Sequence, residues 1–306
     1  MLVSCTHLRQ CNRRRGASNL SVNETTRETK DQANSEPRTE RRKTVRVVRN
    51  KATRDIVPTL KIGGMETAIL DREQTVTLMA DAIAGRLPEL QYPLFMTSNN
   101  GQVVSDYAKS GNVRSMFDQA DVISADGQPM VAVSRLLSPT PLPERVATTD
   151  LFDDASQMLP EGTSYFMFGA TAEEIEKAAA VVRQRYPRIR LLGYSHGYLD
   201  KQGQEALLQR LNELKPDVLW IGLGAPREQE FIIANIDRLK NVKVVKTSGG
   251  LFNFVSGKNK RAPQWMQDLG LEWLYRTFLE PRRLIMRYLV TNPHSLYLML
   301  TRTKRN

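Results

Sequence analysis

Six short apolar runs, each four to six residues long, recur between residues 92 and 245, and each is followed by a stretch with helical periodicity. The runs are 92–97, 121–125, 165–168, 189–192, 218–221 and 242–245. They are nearly continuous rather than alternating, the pattern of strands buried on both faces. Strands regularly interleaved with helices predict an α/β fold: a parallel, Rossmann-like sheet with helices on both faces. Asp71 is placed to cap the first helix, which runs toward Gly85. Further helices are expected over Val103–Tyr107, 128–137, from Thr149 or Asp150 to Met158, from Ala172 to Tyr186, over 203–213, and after Pro226. In open sheets of this kind ligands bind outside the C-terminal strand ends. Two such ends are polar, Thr97-Ser98-Asn99-Asn100 and Ala125-Asp126-Gly127, and they suggest one active site. From spacing alone Asp126 reads equally well as a helix cap or as a reactive carboxylate.

Charge divides the 306-residue chain into three parts. The total is +11. Up to Arg54 there are 14 Lys and Arg against 5 Asp and Glu, and from Trp273 onward there are 7 against 1. The body between them is mildly acidic, which excludes a uniformly basic nucleic-acid-binding domain and leaves two basic tails able to meet phosphate or anionic lipid. Residues 1–55 are polar and aperiodic and are expected to be a disordered tail. Arg41-Arg42-Lys43 within it reads as a solvated charge run or a contact to nucleic acid or lipid. Cys5 and Cys11 are too few for a disulfide framework and show no metal-type clustering with His. No apolar stretch is long enough to span a bilayer, and the N-terminus lacks the apolar core of a secretory signal.

A catalytic domain is expected over 56–262 and a helical, Arg-rich appendage over 263–306. In the appendage Trp265, Leu269, Trp273, Phe278, Ile285 and Leu289 interleave with Arg276, Arg282, Arg283 and Arg287. That composition suits a membrane-surface segment or a cap on the sheet, or both. Pro281 and Pro293 are each read as a helix start. The loop Gly222-Leu223-Gly224-Ala225-Pro226 opens a helix whose N–H groups suit a phosphate, although Glu228 and Glu230 would repel one. Gly249-Gly250 and Asn253 follow the last strand, and Lys258, Lys260 and Arg261 after them could hold a pyrophosphate. His196 is a lone loop histidine, and Asp153-Asp154 a carboxylate pair on a helix. No HExxH, CxxC, GxSxG, Walker or EF-hand pattern is present, so no metal or cofactor is expected.

An ordered series of segments resembles a known family. It comprises Thr97-Ser98-Asn99, Ala125-Asp126-Gly127, Glu144-Arg145-Val146-Ala147-Thr148-Thr149-Asp150, His196-Gly197-Tyr198, Gly224 to Glu230, Gly250 to Phe254, Lys260 to Pro263, Gly270 to Arg276 and Glu280 to Arg283. Together they are similar to the WecG/TagA/CpsF glycosyltransferases over about residues 62–292. The resemblance implies inverting transfer of a sugar from a UDP-sugar to a polyprenyl-diphosphate-linked glycan. The donor sugar would be N-acetylmannosamine, N-acetylmannosaminuronate, glucose or similar, and the place the cytoplasmic membrane face. It assigns Asp126 as catalytic base, Thr97 and Asn99 to the active-site pocket, and Gln229 to a position near the nucleotide sugar. It gives Arg276, Arg282, Arg283 and Arg287 to an appendage that closes over the site and docks on membrane. Two departures stand out: Thr148 where the family has glycine, and an extra residue, Glu228, before Gln229.

Two other readings compete. A nucleotide-sugar epimerase or dehydrogenase would need a dinucleotide fingerprint, and none is visible. A basic-tailed nucleic-acid-binding protein would need aromatic or basic residues clustered on a folded face, whereas here the charge lies in the tails. A homo-oligomer is compatible with the sequence.

Overall fold

Strand β3 (Leu94–Asn99) is second from one edge of a six-stranded, all-parallel sheet. The others are β4 (Val122–Ala125), β5 (Ser164–Gly169), β6 (Arg190–Ser195), β7 (Val218–Gly222) and β8 (Val244–Thr247), in the spatial order β4-β3-β8-β7-β5-β6. The α/β expectation holds, with each strand within a few residues of its predicted place. In this computed structural model the described residues are 50–303 apart from 88, 89 and 92, and they fall within one compact unit. Most of the basic tail, with Cys5, Cys11 and Arg41-Arg42-Lys43, lies outside the described residues.

The tail reading extended to residue 55, but helix α1 (Lys51–Ile56) begins earlier. Asn50 is buried, with its backbone N–H on Asp121 Oδ1 at 2.7 Å and its side-chain amide on Oδ2 at 2.9 Å. Asp121 also accepts from Phe95 N–H at 2.8 Å, so one carboxylate ties the start of the fold to the sheet. An antiparallel hairpin that sequence patterning missed, β1 (Thr59–Ile62) and β2 (Met65–Ala68), packs beside β4. Its turn uses Gly63 and Gly64, both at positive φ, where a side chain would be strained.

Strand alternation sends side chains into two separate cores. On one face Phe95, Ile123, Val245 and Leu219 meet α3 (Gly101–Lys109), α5 (Gln128–Leu137), α8 (Lys201–Leu214) and α9 (Arg227–Asn235). On the other, Met96, Val122, Val244 and Trp220 meet α2 (Arg72–Ile83), α6 (Thr148–Met158), α7 (Ala172–Arg185) and α10 (Leu251–Val255). Asp71 caps α2 through a reciprocal pair with Gln74, as the sequence predicts. α3 ends at Lys109, one residue before Gly111, and Ser110 is both its C-cap and the N-cap of a further helix, α4 (Gly111–Phe117).

The appendage comprises α11 (Gln264–Asp268), α12 (Glu272–Leu279) and α13 (Pro281–Arg302). Pro281 starts α13 as expected, whereas Pro293 lies inside that helix rather than starting a new one. Leu298 and Met299 of α13 join the first core. Among the described residues no helix is long and apolar enough to cross a membrane.

Candidate active site

The chain leaves β5 toward β6 and β7 toward β8, so connections diverge between β5 and β7, where such sheets open a crevice. The strand ends there touch: a Cβ on Gly169 would lie 2.3 Å from the Gly222 carbonyl oxygen. Beyond them the space opens, and nothing lies within 4 Å of a Cβ on Gly224, Gly249 or Gly250.

Asp126 follows β4, an edge strand, at the same C-terminal end of the sheet, its backbone N–H bonded to Asn99 O at 2.8 Å. Arg145 donates to Asp126 Oδ1 from Nε and Nη2, both at 3.2 Å. The Thr148 hydroxyl and backbone N–H reach Oδ2, each at 3.4 Å. The Asp126 side chain keeps 22% exposure, enough to meet a substrate. Arg145 also donates to Glu272 Oε2 on α12 at 2.8 Å. Burial by itself would lower the guanidinium's pKa, but Asp126 and Glu272 outweigh it and raise it. Arg261 pairs with Asp150 and approaches Glu272 at 3.7 Å. A chain of alternating charges thus fastens the appendage to the Asp126 loop. Gly270 reinforces the contact, since a Cβ there would stand 2.9 Å from Gln128 Cβ.

Thr97 and Asn99 point away from Asp126, into the first core. Both are fully buried. Thr97 Oγ1 bonds Thr247 Oγ1 at 2.8 Å and accepts from Gln229 Nε2 at 3.0 Å. Asn99 Nδ2 donates to Thr67 Oγ1 of the hairpin at 2.9 Å. Asn99 Oδ1 and Gln229 Oε1 are buried acceptors with no hydrogen-bond partner.

Lys246 on β8 is fully buried on the opposite face. Its ammonium donates to Ser98 Oγ at 2.8 Å and to Thr247 O at 2.9 Å, and Ser98 Oγ lies 3.3 Å from Thr148 Oγ1. Burial depresses its pKa to about 8, against the opposing pull of Glu228 and Asp126. Glu228 is itself buried and accepts from Gly224 N–H at 3.2 Å and Gly249 N–H at 3.1 Å. Burial lifts its pKa to about 7, while the Gly249 N–H, Lys246 and the Gly224 N–H pull the other way. The sequence reading had the helix after Pro226 offering N–H groups to a phosphate. In the structure the Gly224 N–H just before that helix, and the Gly249 N–H opposite, are held by Glu228, a carboxylate of the chain itself.

The model of the Glycosyl transferase WecG/TagA/CpsF family matches residues 60–306, most of the chain. The chain belongs to the WecG/TagA/CpsF glycosyltransferase family. Curated relatives agree. An N-acetylglucosaminyldiphosphoundecaprenol N-acetyl-beta-D-mannosaminyltransferase of Staphylococcus aureus strain NCTC 8325 / PS 47 is 30% identical over 192 residues, covering 62% of this chain and 74% of the relative. The protein of the same description from strain MRSA252 is 31% identical over the same shares.

Within this family fold, the structure joins Gln229 to Thr97, and Asp126 to Asn99 only through the backbone. Ala225 and Pro226 precede α9, and Asn253 lies on α10 beside the Gly249-Gly250 turn. The appendage arginines are not what reaches Asp126. Arg276 lies over the Phe254 ring at 5.6 Å, Arg287 over Tyr288 at 4.8 Å, and Arg282 is exposed. The side chain of Arg283 lies outside what the structure describes. Glu272 makes the connection instead. Sequence reasoning missed Lys246, Glu272 and Ser98 as site residues. Lys246 had a signal: a lysine inside an apolar run of a central strand must be paired or functional.

Proposed function

We propose that this glycosyltransferase moves a sugar from a UDP-sugar to a polyprenyl-diphosphate-linked glycan with inversion, using Asp126 as the base. The observation that carries the reading is Asp126 itself. It is a part-exposed carboxylate at the C-terminal strand ends, fixed by Arg145 and Thr148. An aspartate is ionised near neutral pH. It takes the proton of the acceptor hydroxyl as that oxygen bonds to the anomeric carbon, and the bond to UDP breaks with its electron pair leaving on the diphosphate. One base on the face opposite the leaving group suffices for inversion.

The relatives' names describe transfer of N-acetyl-beta-D-mannosamine to a diphosphoundecaprenol-linked N-acetylglucosamine, which makes that pair the first substrates to try. N-acetylmannosaminuronate and glucose are the next donors. Positive charge for the leaving diphosphate is assigned to the appendage arginines Arg276, Arg282 and Arg287; we assign no metal or cofactor to the step.

The appendage also carries the exposed apolar surface. Twelve of the sixteen exposed large hydrophobic residues among the described residues lie from Trp265 onward, including Trp273, Phe278, Leu289 and Tyr297. Apolar side chains beside arginines favour an anionic membrane surface, which supports a peripheral location on the inner face of the plasma membrane, where a lipid-linked acceptor would reside.

One assay tests both parts. The protein is incubated with a panel of UDP-sugars and N-acetylglucosaminyl-diphosphoundecaprenol, in anionic vesicles or in neutral detergent, and products are identified by mass. A lipid-linked disaccharide formed faster in anionic vesicles is expected. No transfer from any UDP-sugar would remove the donor assignment, and equal rates in the two media the membrane one.

A further inference from the structure

Lys246 is a buried cation that proton transfer at Asp126 does not directly use. Register explains where it points. Met96 of β3 pairs with Lys246 of β8, and Ser98, two residues on, shares the face of Met96. The ammonium therefore reaches diagonally to Ser98 Oγ at 2.8 Å. Ser98 meets Thr148 at 3.3 Å, and Thr148 meets Asp126 Oδ2 at 3.4 Å. The last two links are long, as catalytic hydrogen bonds often are before substrate arrives.

We propose that Lys246 is a positioning residue for Asp126, fixing the direction of the Ser98 and Thr148 hydroxyls so that both protons point toward the carboxylate. The argument is one of donor inventory. An ammonium has three donors and no acceptor, so Ser98 must accept from it. The single Ser98 proton is then left for Thr148, and the single Thr148 proton for Asp126. A chain polarised in one direction strengthens each of its bonds, and here it ends on the oxygen that must stay ionised and oriented.

The surrounding charges leave this cation a task. Asp126 faces Arg145 from the loop before α6, but Arg145 is shared with Glu272 of α12. Glu272 in turn meets Arg261, which is paired with Asp150. One guanidinium therefore serves two carboxylates, and Lys246 is a second positive charge acting on Asp126 from below. On its other side Lys246 is opposed by Glu228 of α9. Its own lowered pKa, about 8, means the polarity is lost when it deprotonates. A neutral amine can accept from Ser98, and the chain can then reverse.

This inference rests on Asp126 being the base, and the test separates the two. The Asp126 carboxyl is followed by 13C NMR against pH in the full-length protein, with its signal assigned by its loss in Asp126→Asn. Wild type, Lys246→Met and Ser98→Ala are compared. Lys246→Met removes the charge at similar volume; Ser98→Ala keeps the charge and cuts the chain, and is small enough to fold if the first variant does not. We expect Asp126 to protonate at higher pH in both variants, by roughly half a unit or more in Lys246→Met and by less in Ser98→Ala. A lysine that only supports the fold would change the thermal midpoint and leave the titration in place. Superimposable titrations in wild type and either folded variant overturn the proposal while leaving the base assignment untouched. That assignment fails separately, if Asp126→Asn keeps its turnover.

Discussion

The two faces of β3 treat polar side chains differently. On one, Thr97, Thr247, Gln229, Asn99 and Thr67 form a neutral, fully enclosed network. On the other, Ser98 links a buried lysine to a part-exposed aspartate flanked by Arg145. Neighbouring residues of one strand thus serve dry hydrogen bonding and charge chemistry, because alternation puts an entire sheet between them. The difference teaches that polarity at a strand end is not enough to define an active site. Position relative to the sheet plane decides whether a side chain supports the strand or works above it.

If the charged face holds the chemistry, its key carboxylate should give the largest effect. Asp126→Asn is expected to cut kcat by about a hundredfold to ten-thousandfold, with the thermal midpoint nearly unchanged; near-normal turnover would move the base elsewhere and dissolve the contrast between the faces.

Glu228 gives the next effect, and its sign can be worked out. Its pKa is raised in the fold to about 7, above the ordinary value of about 4.3 for a free glutamate. Its contribution to stability is thus fully present below the unfolded value and is lost as pH rises through 7. Wild type should therefore lose on the order of 3 kcal/mol relative to Glu228→Gln between about pH 4 and pH 8, read by denaturant unfolding at a series of pH values. Parallel stability curves for the two proteins would show that burial does not perturb this carboxyl.

The smallest effect belongs to the neutral face. Thr97→Val removes the hydroxyl shared by Thr247 and Gln229 and should cost about 1–3 kcal/mol of stability, with the pH–rate profile unmoved. A shifted profile would mean the two faces communicate, and the comparison would need redrawing.

Much of this was legible along the chain. The apolar runs, the helix cap at Asp71, the helix at 128–137 and the strand-end position of Asp126 depend on contacts within a few residues, so local pattern suffices. The hairpin escaped because its strands are four residues each, too short for period to register. The Pro293 start failed because packing of α13 onto the body overrides a local breaker. Asp126 was matched with Thr97 and Asn99 because both strand ends are polar, yet the carboxylate's side-chain partners are Arg145 and Thr148, 19 and 22 residues further on.

The sequence by itself determined an α/β sheet, a carboxylate at one of its strand ends and an Arg-rich apolar tail. The tertiary structure alone decided that Lys246, 148 residues from Ser98 in sequence, lies beside it and that Glu272 closes the appendage onto Arg145. The reason is register: the side-chain period of a strand is two, and which face of β8 meets which face of β3 is fixed only when distant segments pair.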